Sequence, residues 1–457
     1  MIKGAKKNAF PESLIVKIWQ HQLLDQTELT TEEGEPLKII YPGRINDDRG
    51  ADLREAVIAT SRGLVKGDVE VHIKSSSWWA HRHHRDPIYN RVMLHVVFWH
   101  DAGVSTNLQN GGTISTLALC KYIKSPIHGW ANFAQLPDNL GMPCHKAVKR
   151  LDTDFVGEYL DSAGEERFFA KAEGFQASLA QTEPGQALYQ GVMSALGYAR
   201  NKVPFLELAR RLPLNILEAM TRGKISDAEC LARQQALLLG TAGLLPSQSC
   251  NLRQEDEDAE WVEKLEKVWG SSRQIAPMSE SDWDFFKVRP NNLPARRMVA
   301  ISYLVLRYRE EGILAGLINK LNEAPVGMDY CGLEKLLVVA DYGYWAGHFD
   351  FCLPGRLISP TLLGNGRAAD IVVNVLLPFA FAWGGISSQQ WLARKAFDHY
   401  RCYPRLAVNT IERHMSSQLG LDSNLVNSAR RQQGLIHIYK TLCSQGECHR
   451  CFLGGAR

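Results

Sequence analysis

Eight residues, 67–74, constrain the fold of this chain more than any other segment. Their sequence, GDVEVHIK, alternates strictly between polar and apolar side chains, which is the period of a β-strand whose two faces meet different surroundings. Val and Ile side chains share one face, while Asp68, Glu70, His72 and Lys74 share the other. We therefore predict a strand with a hydrophobic core on one side and a functional site on the other.

The flanking segments predict a small mixed sheet around this strand. An amphipathic pattern after Pro11 predicts a helix, and the run LKIIYPG from Leu37 predicts a strand that ends at a glycine turn. AVIA at 56–59 predicts the next strand, and the sequence SRG that follows predicts a hairpin turn. After a short helix, an apolar strand is expected over 92–99. This order indicates an α/β (α+β) N-terminal domain.

Beyond about Pro143 the hydrophobic period becomes helical, and 457 residues exceed what one hydrophobic core usually holds. We predict an N-terminal domain over 1–148, a large helical domain over 149–397 and a helical C-terminal segment over 398–457 that carries a cysteine cluster. The predicted amphipathic helices cover 155–182, 188–196, 204–219, 227–239 and 259–269.

Charge and hydropathy exclude several classes of protein. A formal charge of +3 argues against a protein that mainly coats nucleic acid or an anionic membrane, although 398–457 is locally basic. Pro11 and Glu12 precede any apolar run, so we predict no secretory signal and a cytoplasmic location. The apolar stretch 371–386 contains Asn374 and Pro378 and is shorter than the roughly 20 residues that cross a bilayer. We interpret it as a buried helix and predict no membrane contact; the sequence does not specify the oligomeric state.

Two acidic residues are expected to meet across the predicted hairpin. Asp52 lies in a Gly-Ala-Asp turn before one strand, and Glu70 lies on the polar face of the next. Cleavage of a phosphodiester uses a divalent cation to polarise the phosphate and activate water, and Mg²⁺ or Mn²⁺ prefers carboxylate ligands. Asp52 and Glu70 are therefore predicted metal ligands. His72 is a candidate to orient the attacking water or bind the metal, and Lys74 to stabilise charge on the phosphorane.

A histidine-rich segment follows the polar strand. His81, His83, His84 and Asp86 lie within six residues, and imidazoles bind metals or move protons near neutral pH. We predict that His81 or His84 extends the metal site or contacts a phosphate. The alternative for the whole set, including the two acids, is a satisfied polar network at a sheet edge.

An acid in a turn, a hairpin, and then acid-x-basic on a strand resembles the restriction-endonuclease-like superfamily, called PD-(D/E)XK after its motif. Ala51 stands at the usual Pro position and His72 at the usual Lys position. The resemblance implies that 1–148 is a nuclease-like domain, that Asp52, Glu70 and His72 form its active site, and that nucleic acid is its partner.

Longer segments resemble a bacterial family of unknown function across nearly the whole chain. They are GDVEVHIKSSSWWAHRHHRDPIYNRVMLHVV, ALYQGVMSALGYARNKVPFLELARRLPL, VRPNNLPARRM, ADIVVNVLLPFAFAWG and QQGLIHIYKTLCSQGECHRCFLG. The resemblance implies that these regions belong to one protein type, but it implies no activity.

The C-terminal cysteines form a second candidate site. Cys443-x4-Cys448-x2-Cys451 resembles part of plant-type ferredoxin ligation and also suits zinc. A fourth ligand is required, and Cys402 is the nearest in sequence, with His449, Cys352 and Cys144 as alternatives. We predict a structural Zn²⁺ or an iron–sulfur cluster; reduced thiols or a disulfide are the alternatives. The first cysteine, Cys120, follows the polar strand, which excludes the iron–sulfur topology of some PD-(D/E)XK exonucleases.

Three functions fit these patterns. The first is a metal-dependent nuclease. The second is a nucleic-acid-binding protein whose nuclease fold has lost catalysis, which His72 at the usual Lys position favours. The third is a metal hydrolase of another substrate class, with histidines as ligands to zinc or manganese; its candidate ligands are His72, His81, His83 and His84.

Overall fold

The N-terminal strands form one mixed sheet in a computed structural model that describes residues 11–24, 28–123, 143–248, 259–272, 275–327, 330–340, 343–351, 353–355 and 361–454. The chain divides into two units. The first contains Met1–Gly164, Val408–Asn427 and Arg431–Arg457, and the second contains Glu165–Ala407 and Ser428–Arg430. The predicted fold class, a mixed sheet followed by a mostly helical region, is confirmed.

The sheet has the strand order β1-β2-β4-β5-β6-β8-β7, and β3 pairs with β4 at one side. β2, β4 and β5 are antiparallel neighbours, whereas β5, β6 and β8 are parallel. The strands are β1 (Leu29–Thr30), β2 (Pro36–Tyr41), β3 (Arg44–Ile45), β4 (Leu53–Thr60), β5 (Gly63–Lys74), β6 (Val92–Trp99), β7 (Thr106–Asn107) and β8 (Thr113–Ala118). The helices of this region are α1 (Glu12–His21), α2 (Ser77–Ala80) and α3 (Pro143–Val148), with short 3-10 turns at His83–Arg85, Pro87–Tyr89 and Leu119–Tyr122.

Helix α1 covers the apolar face of the sheet. Its residues Ile15, Ile18 and Trp19 are buried in one cluster with Val69 and Val71 of β5. Because side chains alternate along a strand, this packing directs the polar side chains of β5 to the opposite face. The hairpin predicted between the second and third strands is present, with Thr60 paired to Gly63.

The second unit is built mainly from helices around one large apolar core. The elements are α4 (Thr153–Leu179), α5 (Pro184–Leu196), α6 (Lys202–Arg211), α7 (Leu214–Ala219), α8 (Asp227–Thr241), α9 (Ala259–Gly270), α10 (Pro294–Arg307), α11 (Ile313–Glu323), α12 (Tyr330–Lys335), α13 (Tyr344–Gly347), α14 (Asn365–Ile371), α15 (Leu377–Ile386) and α16 (Gln390–Cys402), with short strands β9 (Val339–Ala340), β10 (His348–Asp350), β11 (Leu353–Pro354) and β12 (Thr361–Leu363). The division between the units falls within α4.

One predicted helix is wrong. The pattern over 204–219 suggests a single helix, but the structure has two, α6 and α7, separated at Leu212 and Pro213. Proline lacks the amide hydrogen that an interior helical position donates, and it disfavours helical backbone in the residue before it. Leu212 accordingly leaves the helical conformation, and a new helix begins after Pro213.

The apolar stretch predicted to be a buried helix is helical and largely buried. It belongs to a continuous helix, Asn365–Ile386, in which α14 and α15 are joined by a π-helical turn at Val372–Leu376. Pro378 follows this turn and has no amide hydrogen to donate to the preceding turn of the helix. A π turn accommodates this missing hydrogen bond. This helix is long and apolar enough to cross a bilayer by length and composition, and 67% of its most apolar window is buried inside the protein.

Two C-terminal helices complete the first unit: α17 (Thr410–Leu419) and α18 (Ala429–Thr441). Their apolar residues, with those of α3, surround Tyr41 of β2 and Val57 of β4 in a second core. Val57 neighbours Ala56 and Ile58, which face the core under α1, so this second core lies on the other face of the sheet. The C-terminal segment therefore packs within the N-terminal unit.

Candidate metal centre

Asp52 and Glu70 meet at the junction of β4 and β5. The backbone amide of Asp52 donates to Oε2 of Glu70 at 3.1 Å. Reciprocally, the amide of Val71 donates to Oδ2 of Asp52 at 3.0 Å. The turn and the hairpin thus bring together the two acids that the sequence nominates.

A β-bulge in β4 sets this juxtaposition. Leu53 pairs with Val69 but Ala56 pairs with Gly67, so β4 has one residue more than β5 over this interval. Glu55 occupies the bulge with a φ of 59°, and its amide donates to Oδ1 of Asp68 at 3.0 Å. Bulges locally redirect a strand and often accompany functional sites. Here the bulge begins directly after Asp52, at the end of β4 where Asp52 meets Glu70.

Two imidazoles contact the Glu70 carboxylate, and a third adjoins them. Candidate ligand atoms of His72, His81 and His83 all lie within 4.8 Å of one another, a property found in no other group among the described residues. Oε1 of Glu70 lies 3.1 Å from Nε2 of His83 and 3.5 Å from Nε2 of His72. Nε2 of His72 is also 3.1 Å from Nδ1 of His81. These four residues are referred to below as the histidine centre.

The loop after β5 positions His81 and His83. α2 and the 3-10 turn His83–Arg85 fold the chain back over the polar face of β5. Buried Trp78 packs edge-on against the His83 ring, and the Tyr89 ring lies 3.9 Å from the His83 ring, centroid to centroid. His81 is exposed while His72 and His83 are buried. The centre therefore opens to solvent on the side of His81.

His95 orients His72 from behind. It lies on β6 directly opposite Glu70 of β5 and is fully buried. Its Nε2 is 2.9 Å from Nδ1 of His72. With Nδ1 of His72 as donor to His95, Nε2 of His72 carries the lone pair that a metal would bind, which is the arrangement of a metal-binding histidine and its outer-shell partner.

Burial dominates the electrostatics of the centre. It raises the pKa of Glu70 to about 8 and, together with the nearby Glu70 charge, raises the pKa of Asp52 to about 7. Burial, followed by the nearby His95, His83 and His81, lowers the pKa of His72 to about 2. Histidines held neutral are in the form that binds metals. A divalent cation would compensate the ionised carboxylates that burial disfavours.

The donor set fits a transition metal better than Mg²⁺. Imidazole nitrogens suit zinc, manganese, iron or nickel, whereas Mg²⁺ prefers oxygen ligands. Three of these donors would hold a tetrahedral ion and leave its fourth position open to water or substrate, as in catalytic zinc sites. The sequence nominates the carboxylates first; in the structure the histidines supply the most closely grouped donors.

Two further predicted residues lie outside the histidine centre. The ammonium of Lys74 is 3.5 Å from Oδ2 of Asp101, and its side chain is about half exposed. His84 accepts from Nε of Arg85 at 3.2 Å and is not part of the closely spaced group. Conversely, no local pattern distinguishes His83 from its neighbours or assigns His95 to the site. The parallel pairing of β6 with β5, once known, identifies His95.

The predicted cysteine ligands fall into two places. Cys443, Cys448 and Cys451 lie at the C-terminus of the first unit, where Cys144 of α3 joins them in or beside the second core. Cys402 ends α16 in the second unit and is exposed. The alternative ligand His449 is mostly exposed, 3.4 Å from Glu447, and Cys352 lies outside the described residues. None of the described cysteines forms a disulfide.

Comparison with known proteins gives a family but no activity. Searches of curated proteins and of solved structures found no match. A family model with the description "Protein of unknown function (DUF2851)" matches residues 12–405, which include the sheet, the histidine centre and nearly all of the second unit. The chain belongs to this family.

Proposed function

We propose that this protein is a metal-dependent hydrolase that cleaves phosphodiester bonds in nucleic acid. The observation that carries the proposal is the grouping of His72, His81 and His83 beside the Glu70 carboxylate. Satisfied structural histidines rarely converge with a buried acid in this way, whereas catalytic metal sites require it. A bound divalent cation polarises a phosphate and lowers the pKa of water.

The side chains divide this work between them. His72, His83 and Glu70 are buried and held by the sheet and the aromatic side chains around them, so they define the place of the cation. His81 is the exposed member and faces the solvent from which substrate arrives. Asp52 fixes the β4–β5 junction through its hydrogen bond from Val71, and its own amide orients Glu70.

The surroundings favour an anionic substrate. Arg82 and Arg85 flank His83 and are exposed. Guanidinium groups bind phosphates through paired N–H donors. The sequence pattern that resembles PD-(D/E)XK nucleases, an acid in a turn, a hairpin and then acid-x-basic on a strand, supports the same substrate, and β4 and β5 form that hairpin. We therefore place nucleic acid first among substrates.

A cleavage assay with the full chain tests the proposal. Metal-stripped protein is incubated with labelled single-stranded DNA, double-stranded DNA and RNA, and Mg²⁺, Mn²⁺ or Zn²⁺ is added back separately. We expect cleavage with Mn²⁺ or Zn²⁺. The cleavage rate of Glu70→Gln should be lower than that of wild type by more than the roughly 10–100-fold that loss of an outer-shell partner costs.

His84→Ala is the matched control, because His84 is adjacent to His83 but outside the centre. It should retain the wild-type rate, whereas His83→Ala should not. Binding of the same nucleic acids, followed by fluorescence anisotropy, separates the alternative. Metal-independent binding without cleavage would replace the hydrolase with a binding protein of nuclease-like fold.

A further inference from the structure

Four cysteines from distant parts of the sequence converge in the first unit, away from the residues used above. Cys443 begins the 3-10 turn Cys443–Gln445 after α18, Cys448 begins the turn Cys448–Arg450, and Cys451 follows it. Cys144 comes from α3, which packs against the turn Phe452–Gly454 directly after Cys451. We call these four residues the thiol cluster.

Hydrogen-bond donors point at the sulfurs of the thiol cluster. Nε2 of buried Gln418 lies 3.8 Å from Sγ of Cys144 and 3.9 Å from Sγ of Cys443, so one amide group spans two cysteines. The backbone amides of Leu453 and Gly454 lower the pKa of Cys451, against the larger effect of its burial. Amide donors directed at sulfur favour the thiolate, which is the form that binds metal.

An apolar environment without a cation opposes that form. Cys443 is buried, and Cys144 and Cys451 pack against the same second core. Burial raises the pKa of Cys443 and of Cys451, and the neighbouring cysteines raise the pKa of Cys443 further. The amide donors favour thiolates, whereas the apolar surroundings disfavour an isolated thiolate. A bound cation would stabilise the thiolates in these surroundings because it neutralises their charge.

We propose that Cys144, Cys443, Cys448 and Cys451 form a structural Zn²⁺ site that links α3 to the C-terminal turns. Four thiolates are a standard tetrahedral zinc set with Zn–S distances of about 2.3 Å. Among the described residues, no three of these sulfurs lie within 4.8 Å of one another, so the proposal requires the sulfurs to move closer together when zinc binds. Each thiol that binds releases its proton to solvent, and no electron transfer is involved.

Such a site would close a discontinuous unit. Cys144 belongs to the first segment of the unit, Met1–Gly164, and the other three belong to its last segment, Arg431–Arg457. The residues between them form most of the second unit. A zinc ion bound by both segments links them directly and restricts the unfolded chain over a long loop, which is how a closed four-ligand site adds to folding stability.

Metal analysis of the full chain tests this site. Protein purified without chelators is analysed by inductively coupled plasma mass spectrometry as wild type and as Cys144→Ser, Cys402→Ser and His83→Ala. We expect Cys144→Ser to lose about one equivalent of zinc per chain. Cys402→Ser, the matched control at an exposed cysteine of the second unit, should lose none. His83→Ala should retain that same equivalent, which separates it from metal in the histidine centre.

A titration of the His83→Ala protein, whose thiol cluster is intact, covers the case in which Cys144→Ser does not fold. A mercurial reagent should release zinc in proportion to the reaction of the cluster thiols, as followed with a chromogenic zinc indicator. Zinc retained in full by a folded Cys144→Ser variant, or no zinc released by the mercurial, would overturn the proposal. Iron with visible charge-transfer absorption would overturn the choice of zinc, and a disulfide found by mass spectrometry would exclude the site.

Discussion

Nε2 of His83 lies 3.1 Å from Oε1 of Glu70. Glu70 is held on β5 by the hydrogen bond from the Asp52 amide, and His83 reaches it from the loop that follows the same strand. The Glu70 carboxylate therefore contacts the backbone amide of Asp52 on one side and imidazole groups on the other. This position makes Glu70 the residue on which the proposed cation site most depends.

Removal of metal should lower thermal stability. A ligand that binds only the folded state stabilises it by about 2.7 kcal/mol at a concentration 100 times its dissociation constant. Differential scanning fluorimetry of the full chain should therefore show a lower Tm after chelation and recovery with Mn²⁺ or Zn²⁺. The recovery attributable to the histidine centre should disappear in Glu70→Gln. A Tm that chelation leaves unchanged in wild-type protein would argue against resident metal at either proposed site.

His95 should act as a positioning residue for His72. Its Nε2 lies 2.9 Å from Nδ1 of His72, and loss of such an outer-shell partner typically weakens metal binding by about 10–100-fold. We expect that loss in His95→Ala, measured by competition with a fluorescent chelator. His95→Gln, which keeps an acceptor, should recover part of the affinity, and exposed His100→Ala should match wild type. Equal affinity for His95→Ala and wild type would remove His95 from the site.

Acid should destabilise the first unit through His414. Burial lowers the pKa of His414 to about 4, and its Nε2 forms a hydrogen bond with the hydroxyl of Tyr41 at 2.6 Å. The unfolded chain, with an ordinary pKa near 6.5, takes up this proton first as the pH falls, so stability is lost between about pH 6.5 and 4. The loss at pH 5 should be about 2 kcal/mol. Denaturant unfolding at pH 7 and pH 5 should show a smaller difference in His414→Gln; an unchanged difference would contradict this account.

A close helix contact should make Gly434 intolerant of a side chain. A methyl group on Gly434 of α18 would lie 2.1 Å from the carbonyl oxygen of Leu160 in α4. The overlap should cost about 1–3 kcal/mol in Gly434→Ala. Gly174→Ala is the control, because a methyl group there meets nothing within 4 Å and alanine favours a helix by about 1 kcal/mol. Thermal melts should shift in opposite directions; equal shifts would show that the backbones separate easily.

Local pattern was sufficient for the elements and for part of the site. Strict alternation predicted β5 and its polar face, and the hydrophobic period predicted β6 over 92–99 and the helices α4, α5, α8 and α9. The prediction of one helix over 204–219 failed at Pro213. The apolar pattern continues through this proline, but proline interrupts the helical hydrogen bonds. The sequence also nominated Asp52 and Glu70, because a short hairpin limits how far apart its two strands can be.

Tertiary structure decided which residues meet. His83 could be distinguished from His81 and His84 only once the loop was folded over β5, and His95 required the parallel register of β6. Cys144 joins the C-terminal cysteines because α3 packs against the final turns. Side-chain periodicity reports the local surroundings of a residue, whereas contacts between distant segments depend on packing of the whole unit. The sequence by itself therefore determined the strands, helices and types of donor, and the fold determined how those donors are grouped.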